Sequence, residues 1–334
     1  MDAIRTVGLT KRYGGKCAVD GVNLTVGCGD IYGFVGRNGA GKSTVMKMLA
    51  GLVLPTAGEI ELLGERQAPG CTSRRLGALI ENPGIYPGLT GLDNVMVRAL
   101  SLGVPNAKAA SFEALDIVGL SAAAKKRAKT YSLGMKQRLG LALALVGSPD
   151  LLLLDEPFNG LDPQAVREVR TTILTLARVR SITVFISSHV LDQLERMVTR
   201  YGVIRDGRLV REMTAAEVDA ECADYLSIRA AEPQLALARL QDAFPAARFS
   251  LLPDDAIRAE GGIAPEDAGQ ALSQAGIAVT ELFVHERDIE ELFVGLMGAD
   301  SAIPAPDAPA WSQAASAAAS GSRARSGKRG GRDA

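Results

Sequence analysis

The turn at residues 36–43 reads Gly-Arg-Asn-Gly-Ala-Gly-Lys-Ser and matches G-x-x-x-x-G-K-[ST] at every required position. This pattern constrains the fold strongly, because its glycine-rich turn joins the end of a β-strand to the start of an α-helix. The apolar run Ile31 to Val35 precedes the turn, and a helical pattern near Lys42 to Ala50 follows it. We therefore predict an α/β domain whose sheet is largely parallel.

The residue types of this turn suit a bound triphosphate. Glycine lets backbone N–H groups turn inward around phosphate oxygens, Lys42 supplies a positive charge to the β and γ phosphates, and Ser43 offers a hydroxyl to Mg²⁺. The N-terminus of the following helix adds a partial positive charge. ATP and Mg²⁺ are therefore the predicted bound groups. The predicted nucleotide contacts of the loop are Gly36, Arg37, Asn38, Gly39, Ala40, Gly41, Lys42, Ser43 and Thr44.

Charge and hydropathy narrow the classes of partner. The formal net charge is −1, so we expect no nucleic acid partner. Met1 to Arg5 lacks the layout of a secretory signal, and the longest apolar stretch, Leu139 to Leu154, is interrupted by Ser148-Pro149-Asp150. Any path through a membrane is expected to belong to another chain. No C-x-x-C pair occurs, and we expect reduced, buried thiols at Cys17, Cys28, Cys71 and Cys222.

The pattern along the chain predicts three parts. Strand and helix patterns alternate through residues 1–212, with a helical insert at about 84–147 whose first helix begins at the helix-capping pattern of Thr90 to Asp93. Residues 213–298 show a fresh set of strand and helix signals, which predicts a small α+β accessory domain. Residues 299–334 have few large apolar side chains, which predicts a disordered basic tail.

A second motif supplies the acidic groups that a phosphate-binding loop needs. The apolar strand pattern Leu151 to Leu154 ends in Asp155-Glu156, at the strand end where ligands collect in open α/β sheets. Asp155 is the predicted Mg²⁺ contact, through water, and Glu156 the predicted general base for the attacking water. Further strand patterns occur at Ile182 to Ile186, followed by a predicted helix after His189, and around an Asp206-Gly207 hairpin turn.

These elements together resemble the ATP-binding subunits of ABC transporters, over about residues 3–212. Residues 131–138 look like the signature loop of that family, 159–162 look like its D-loop, and His189 matches its switch histidine. The resemblance implies that Ser132 and Gly134 complete the ATP site of an opposite subunit, that His189 holds the γ-phosphate and the attacking water, and that Tyr13 stacks on adenine. Ser132 also suits a helix N-cap on its own chemistry.

Three positions depart from the commoner family pattern. Leu133 and Met135 replace a glycine and a glutamine of the signature loop. Glu81 stands where most relatives carry a glutamine that contacts metal and water, and its carboxylate still offers a hard oxygen to Mg²⁺. Glu81 and the Pro-Gly-Ile-Tyr-Pro run that follows are similar to the subgroup that exports, or confers immunity to, bacitracin and lantibiotic peptides.

The resemblance implies an ATPase with a P-loop NTPase core. The subunit is expected to form a homodimer at the cytoplasmic face of the cell membrane and to drive transport through a separate multi-span permease. The expected direction is export, of peptide antibiotic or lipid-like cargo. The alternative is a soluble ABC ATPase that acts on ribosomes or DNA, but such proteins usually carry two cassettes or long coiled coils.

The tail contains a cluster of positive charges, namely Arg323, Arg325, Lys328, Arg329 and Arg332. This cluster is either a solvated terminus or a contact for anionic lipid.

Overall fold

The computed structural model describes residues 1–222, 224–285 and 289–298. The predicted tail at 299–334 lies outside the described residues. The strands are β1 Asp2–Tyr13, β2 Lys16–Gly27, β3 Ile31–Val35, β4 Ala57–Leu62, β5 Glu65–Arg66, β6 Leu76–Leu79, β7 Leu151–Asp155, β8 Thr183–Ser188, β9 Arg200–Arg205, β10 Arg208–Thr214, β11 Tyr225–Ala230, β12 Arg248–Leu251, β13 Ile257–Glu260 and β14 Val279–His285. The helices are α1 Lys42–Leu49, α2 Gly91–Ser101, α3 Ala107–Ile117, α4 Leu133–Leu145, α5 Pro163–Arg180, α6 Ala215–Glu221, α7 Pro233–Ala243, α8 Pro265–Gln274 and α9 Ile289–Met297.

A mixed sheet in the order β10-β9-β3-β8-β7-β6 forms the centre of the fold. Its pairs β9-β3, β3-β8, β8-β7 and β7-β6 are parallel, whereas β10 joins antiparallel, through the Asp206-Gly207 turn. Every residue of β3, β7 and β8 is buried. Because both faces of such a sheet are covered, these strands read as mainly apolar runs rather than as alternating patterns, and their polar residues stand at the strand ends: Asp155 in β7 and Thr183, Ser187 and Ser188 in β8.

A second sheet, β2-β1-β4-β5, is antiparallel. Val22, Leu24 and Val26 of β2 are buried, and the residues between them are exposed, as the alternating pattern predicts. The apolar side of this sheet shares one hydrophobic core with Val45, Met46 and other residues of α1. The helix that follows the phosphate-binding turn is therefore packed between two sheets.

Helices α2, α3 and α4 lie between β6 and β7 in the chain. Thr90 caps α2 by accepting a hydrogen bond from the Asp93 N–H, and Ser132 caps α4 in the same way from the Met135 N–H. Both caps were predicted from the sequence, and each satisfies one of the N–H groups that a helix start leaves without an intrahelical partner.

The C-terminal sheet has the order β12-β13-β11-β14 and is antiparallel. With α7 and α8 it encloses a core of its own, which includes Leu226, Ile257 and Leu272. The flanking helices belong elsewhere: Val218 of α6 and Phe293 of α9 are buried in the main core, together with residues of the central sheet. The chain thus leaves the central sheet after β10 and returns to it in α9.

Two expectations were wrong. No regular helix follows His189; residues 191–197 form successive turns, in which Leu191, Leu194 and Met197 are buried at a spacing of three. Apolar residues at that spacing fit such turns as well as a helix, so the pattern could not separate them. The thiols of Cys17, Cys28 and Cys71 are exposed rather than buried, and Cys222 is partly buried.

Among the described residues, no helix is both long enough and apolar enough to span a bilayer.

Candidate nucleotide site

The site lies at the carboxyl edge of the central sheet. Val35 of β3 is level with Ser188 of β8, and Asp155 of β7 is level with Ser187. The residues that follow β3, β7 and β8 are therefore brought together, although more than 100 positions separate Gly36 from Glu156 in the sequence. This edge is where parallel α/β sheets collect ligands.

The glycines of the loop occupy positions that a side chain would obstruct. A Cβ on Gly36 would lie 2.5 Å from the Ile204 carbonyl oxygen, and one on Gly41 would lie 2.7 Å from the Ala18 carbonyl oxygen. Gly41 has a φ of 112° and provides no side-chain cap to α1. The first N–H groups of α1 thus receive no cap from the described side chains, and they face the loop as an anion site requires.

Lys42 is the best-buried charge of the loop, with 5% of its side chain exposed. Its ammonium donates to the Gly36 carbonyl oxygen at 2.7 Å and lies 3.2 Å from Oε1 of Glu156. The other carboxylate oxygen, Oε2, lies 2.6 Å from Nδ1 of His189. The loop lysine, the predicted base and the predicted switch histidine therefore meet around one carboxylate.

Asp155 is held by β8, which the sequence did not indicate. Its carboxylate is 3% exposed and accepts a hydrogen bond of 2.6 Å from the Ser187 hydroxyl. The Glu156 N–H donates to the same hydroxyl at 3.0 Å. Ser187 thus fixes both acidic residues, and the only advance signal was its place directly before Ser188-His189.

Glu81 and Glu156 share an unusual backbone conformation. Their φ angles are 59° and 49°, in the left-handed region that residues other than glycine rarely occupy. Such conformations concentrate at functional sites, where the surrounding structure imposes them. The Glu81 carboxylate forms an ion pair with Lys47 of α1.

Two adjoining cavities contain most of the predicted residues. One, of about 760 Å³, is lined by Tyr13, Asn38, Gly39, Gly41, Lys42, Ser43, Thr44, Glu156 and His189, among others. The other, of about 540 Å³, is lined by Ser43, Glu81, Asp155 and Glu156, among others. Ser43, Glu156 and Asn159 line both. The first cavity can take a nucleotide, and the second collects oxygen donors beside it.

Tyr13 lies at the end of β1 with 49% of its side chain exposed. The Lys11 ammonium lies 4.9 Å from the centre of its ring. A half-exposed ring at the rim of the larger cavity is available for stacking on a planar base.

Two other residues of the turn, Arg37 and Ala40, line a neighbouring cavity together with Arg205 and Gly298.

Comparison with known proteins agrees with this geometry. The ABC transporter family model matches residues 19–159. The bacitracin transport ATP-binding protein BcrA of Bacillus licheniformis is 40% identical over 298 residues, which cover 88% of this chain and 97% of that protein. The chain belongs to the ATP-binding subunits of ABC transporters. It is therefore an ATPase, and the prediction of this family is confirmed over the ribosome or DNA alternative.

Another relative and two solved structures also match this ABC transporter subunit. The lantibiotic transport ATP-binding protein SrtF of Streptococcus pyogenes is 40% identical over 209 residues, covering 63% of this chain and 90% of that protein. The cbiO1 protein of Clostridium perfringens, part of the ABC transporter complex cbiONQ, has the same fold, with a TM-score of 0.60 at 23% identity over 73% of this chain and 96% of its own. A dimeric cassette bound to ADP and phosphate matches with a TM-score of 0.57 at 23% identity, covering 64% and 98%.

The predicted signature loop of this ABC subunit lies at the start of α4. Ser132 and Gly134, at the start of α4, line neither of the two cavities formed by the described residues. Leu133 between them is 56% exposed and reaches the rim of the smaller cavity. Gly36, Arg37 and Ala40 of the turn do not line the two cavities either, so five of the predicted nucleotide contacts lie outside the linings of these two cavities.

Proposed function

We propose that this ATPase binds ATP with Mg²⁺ and that Glu156 is its general base. The larger cavity holds the nucleotide in this proposal, with Tyr13 on the adenine and the turn from Gly36 to Thr44 around the phosphates. Tyr13 and six residues of that turn line the cavity: Asn38, Gly39, Gly41, Lys42, Ser43 and Thr44. The observation that carries the proposal is the position of Glu156, whose two carboxylate oxygens face Lys42 and His189 beside the uncapped start of α1.

The oxygen donors of the smaller cavity fit Mg²⁺. Ser43, Glu81 and Asp155 offer a hydroxyl and two carboxylates, the hard ligands that this ion prefers. No group of three or more His, Cys, Asp and Glu side chains among the described residues is placed to hold a metal by itself. In the proposal the phosphates supply the remaining ligands, and Mg²⁺, when bound, neutralises charge that develops on them.

Glu156 and His189 have different roles in this proposal: Glu156 accepts the proton of the attacking water, and His189 positions the groups around it. A triphosphate draws the Lys42 ammonium toward its own oxygens, which releases Oε1 of Glu156 to accept a proton from water. His189 then holds Oε2 and the γ-phosphate side of the site through its two ring nitrogens. The carboxylate is kept in place because Ser187 binds the Glu156 N–H.

Glu156→Gln tests this assignment. The amide keeps the shape of the side chain but cannot take a proton, so turnover should fall about 10²-fold to 10⁴-fold while ATP binding persists. Steady-state phosphate release and equilibrium binding of a fluorescent ATP analogue measure the two effects. Glu266→Gln, on α8, is the matched control and should match the parent protein. Undiminished hydrolysis in Glu156→Gln removes Glu156 as the base.

We also propose that two copies sandwich ATP, with Ser132 and Gly134 of each completing the site of the other. The absence of both residues from the lining of the two cavities in one chain supports this, as does the fold shared with a dimeric cassette. Glu156→Gln should therefore accumulate as a dimer in the presence of ATP. Sedimentation velocity with and without ATP measures this, and Ser132→Arg should abolish the dimer in the same background.

The proposed setting is the cytoplasmic face of a membrane, where the subunit drives export through a separate multi-span permease. The names of the bacitracin and lantibiotic transport relatives support a peptide antibiotic as cargo. A lipid-like molecule is the second proposed class of cargo. Co-purification of the tagged chain with a multi-span membrane protein is the expected result of membrane fractionation. Recovery with ribosomes instead would contradict it.

We propose that the chain is divided into domains as the sequence predicts. Residues 1–212 form the ATPase domain, with the helical insert at about 84–147, and residues 213–298 form the accessory domain. The separate core around Leu226 supports an accessory unit, and the burial of Phe293 in the main core makes α9 its return anchor.

A further inference from the structure

The ion pair between Glu81 and Lys47 joins the predicted metal-binding side of the site to α1. Lys47 stands four residues after Ser43, so the two side chains lie on one face of α1, one turn apart. Lys47 therefore holds Glu81 from the same helix face that presents the Ser43 hydroxyl. Only Oε1 of Glu81 is engaged; Oε2 accepts no hydrogen bond from the described residues.

The charges around the smaller cavity explain why Glu81 needs this partner. Glu81, Asp155 and Glu156 place three carboxylates on its lining, and Lys136 is the one cation among the described lining residues. Glu156 has Lys42 and His189 as partners, whereas Asp155 has the neutral Ser187 hydroxyl. Without Lys47, the exposed carboxylate of Glu81 would be free to turn away from the other two, which repel it.

We propose that Lys47 is a positioning residue for Glu81. It fixes one carboxylate oxygen on the Ser43 side of the cavity, offsets the added negative charge, and leaves the second oxygen available to a divalent cation or its water. The inference rests on the proposed role of Glu81 toward Mg²⁺. Because the Glu81 side chain is 58% exposed, solvent screens the pair and the expected effect is modest, about threefold to fivefold.

The test is a double-mutant cycle with Lys47→Ala, Glu81→Gln and the pair together. The first readout is the Mg²⁺ concentration for half-maximal binding of a fluorescent ATP analogue, which needs no turnover; kcat and KM for ATP are the second. Lys47→Ala should raise that Mg²⁺ concentration about threefold to fivefold and lower kcat similarly. Lys47→Arg should restore both values. In the Glu81→Gln background, Lys47→Ala should change nothing further.

A control variant and the pattern of the cycle distinguish an effect of Lys47 through Glu81 from the general effect of removing a lysine. Lys108→Ala removes an exposed lysine of α3, outside both cavities, and should leave all values unchanged. Equal effects of Lys47→Ala in the parent protein and in the Glu81→Gln background would overturn the proposal, as would no effect in the parent protein. If Glu81→Gln shifts the Mg²⁺ dependence but Lys47→Ala does not, only the role of Lys47 fails. If neither shifts it, the proposed role of Glu81 fails as well. Lys47→Gln repeats the cycle should the alanine variant unfold.

Discussion

Replacing Phe293 with alanine tests how the C-terminal part of the chain is anchored. The Phe293 side chain is fully buried at 0% exposure, and its ring centre lies 5.1 Å from that of Tyr201 on β9, at an angle of 58°. Truncating a buried phenylalanine destabilises a fold by about 3–5 kcal/mol, through lost transfer free energy and the cavity left behind. The tilted ring pair contributes about 0.5–1.5 kcal/mol of that loss.

The loss can show itself in two ways, so two measurements are needed. If α9 unfolds together with the cassette, the free energy of unfolding in urea falls by about 3–5 kcal/mol. If α9 first releases on its own, amide exchange within Ile289–Met297 rises and the global loss is smaller. Val294→Ala is the matched control, because the neighbouring Val294 is 46% exposed. A Phe293→Ala protein with unchanged exchange and a loss below about 1 kcal/mol would refute the anchoring role.

Three further changes have expected outcomes. Tyr13→Ala should weaken binding of a fluorescent ATP analogue by about 1–3 kcal/mol, the typical contribution of an aromatic ring stacked on a base, whereas Tyr13→Phe should bind like the parent. Gly41→Ala should abolish binding of the same analogue without unfolding α1, because the new Cβ would lie 2.7 Å from the Ala18 carbonyl oxygen at a φ of 112°; normal affinity would contradict this. Hydrogen bonds from Thr214 lower the pKa of Glu217 from its ordinary value of 4.5. Ionised Glu217 therefore stabilises the fold above that pH. This contribution to stability disappears as the pH falls through the lower pKa of the folded state. Glu217→Gln should therefore be less stable than the parent at neutral pH in urea unfolding, with a difference that shrinks on acidification below 4.5; a constant difference would contradict this.

Local sequence patterns predicted the elements that depend on near neighbours. Ser132 and Thr90 cap their helices because a short hydroxyl side chain reaches the N–H three residues ahead. The run Leu151 to Leu154 is a buried parallel strand because it has no polar residue for either face. The ABC family and its fold are confirmed because the motif residues occur with their required types and order.

Contacts between distant segments escaped the same reasoning. Ser187, which binds both Asp155 and the Glu156 N–H, is an ordinary strand residue until β8 is set beside β7. Lys47 reads as a solvated helix charge until Glu81 is brought against it. The exposed thiols were mispredicted because the burial of a cysteine depends on which surface the fold leaves open.

The sequence by itself determined the family, and it predicted the residues for the phosphate chemistry, since glycine, lysine, serine and the acidic pair are required by type at fixed spacing. Tertiary structure alone decided how these groups meet: Lys42, at the start of α1, and His189, directly after β8, converge on Glu156. It also decided that α9 packs on β9 rather than on the C-terminal sheet. The physical reason is that an amphipathic pattern states that a face must be buried but not against which partner, and only the packed chain supplies that partner.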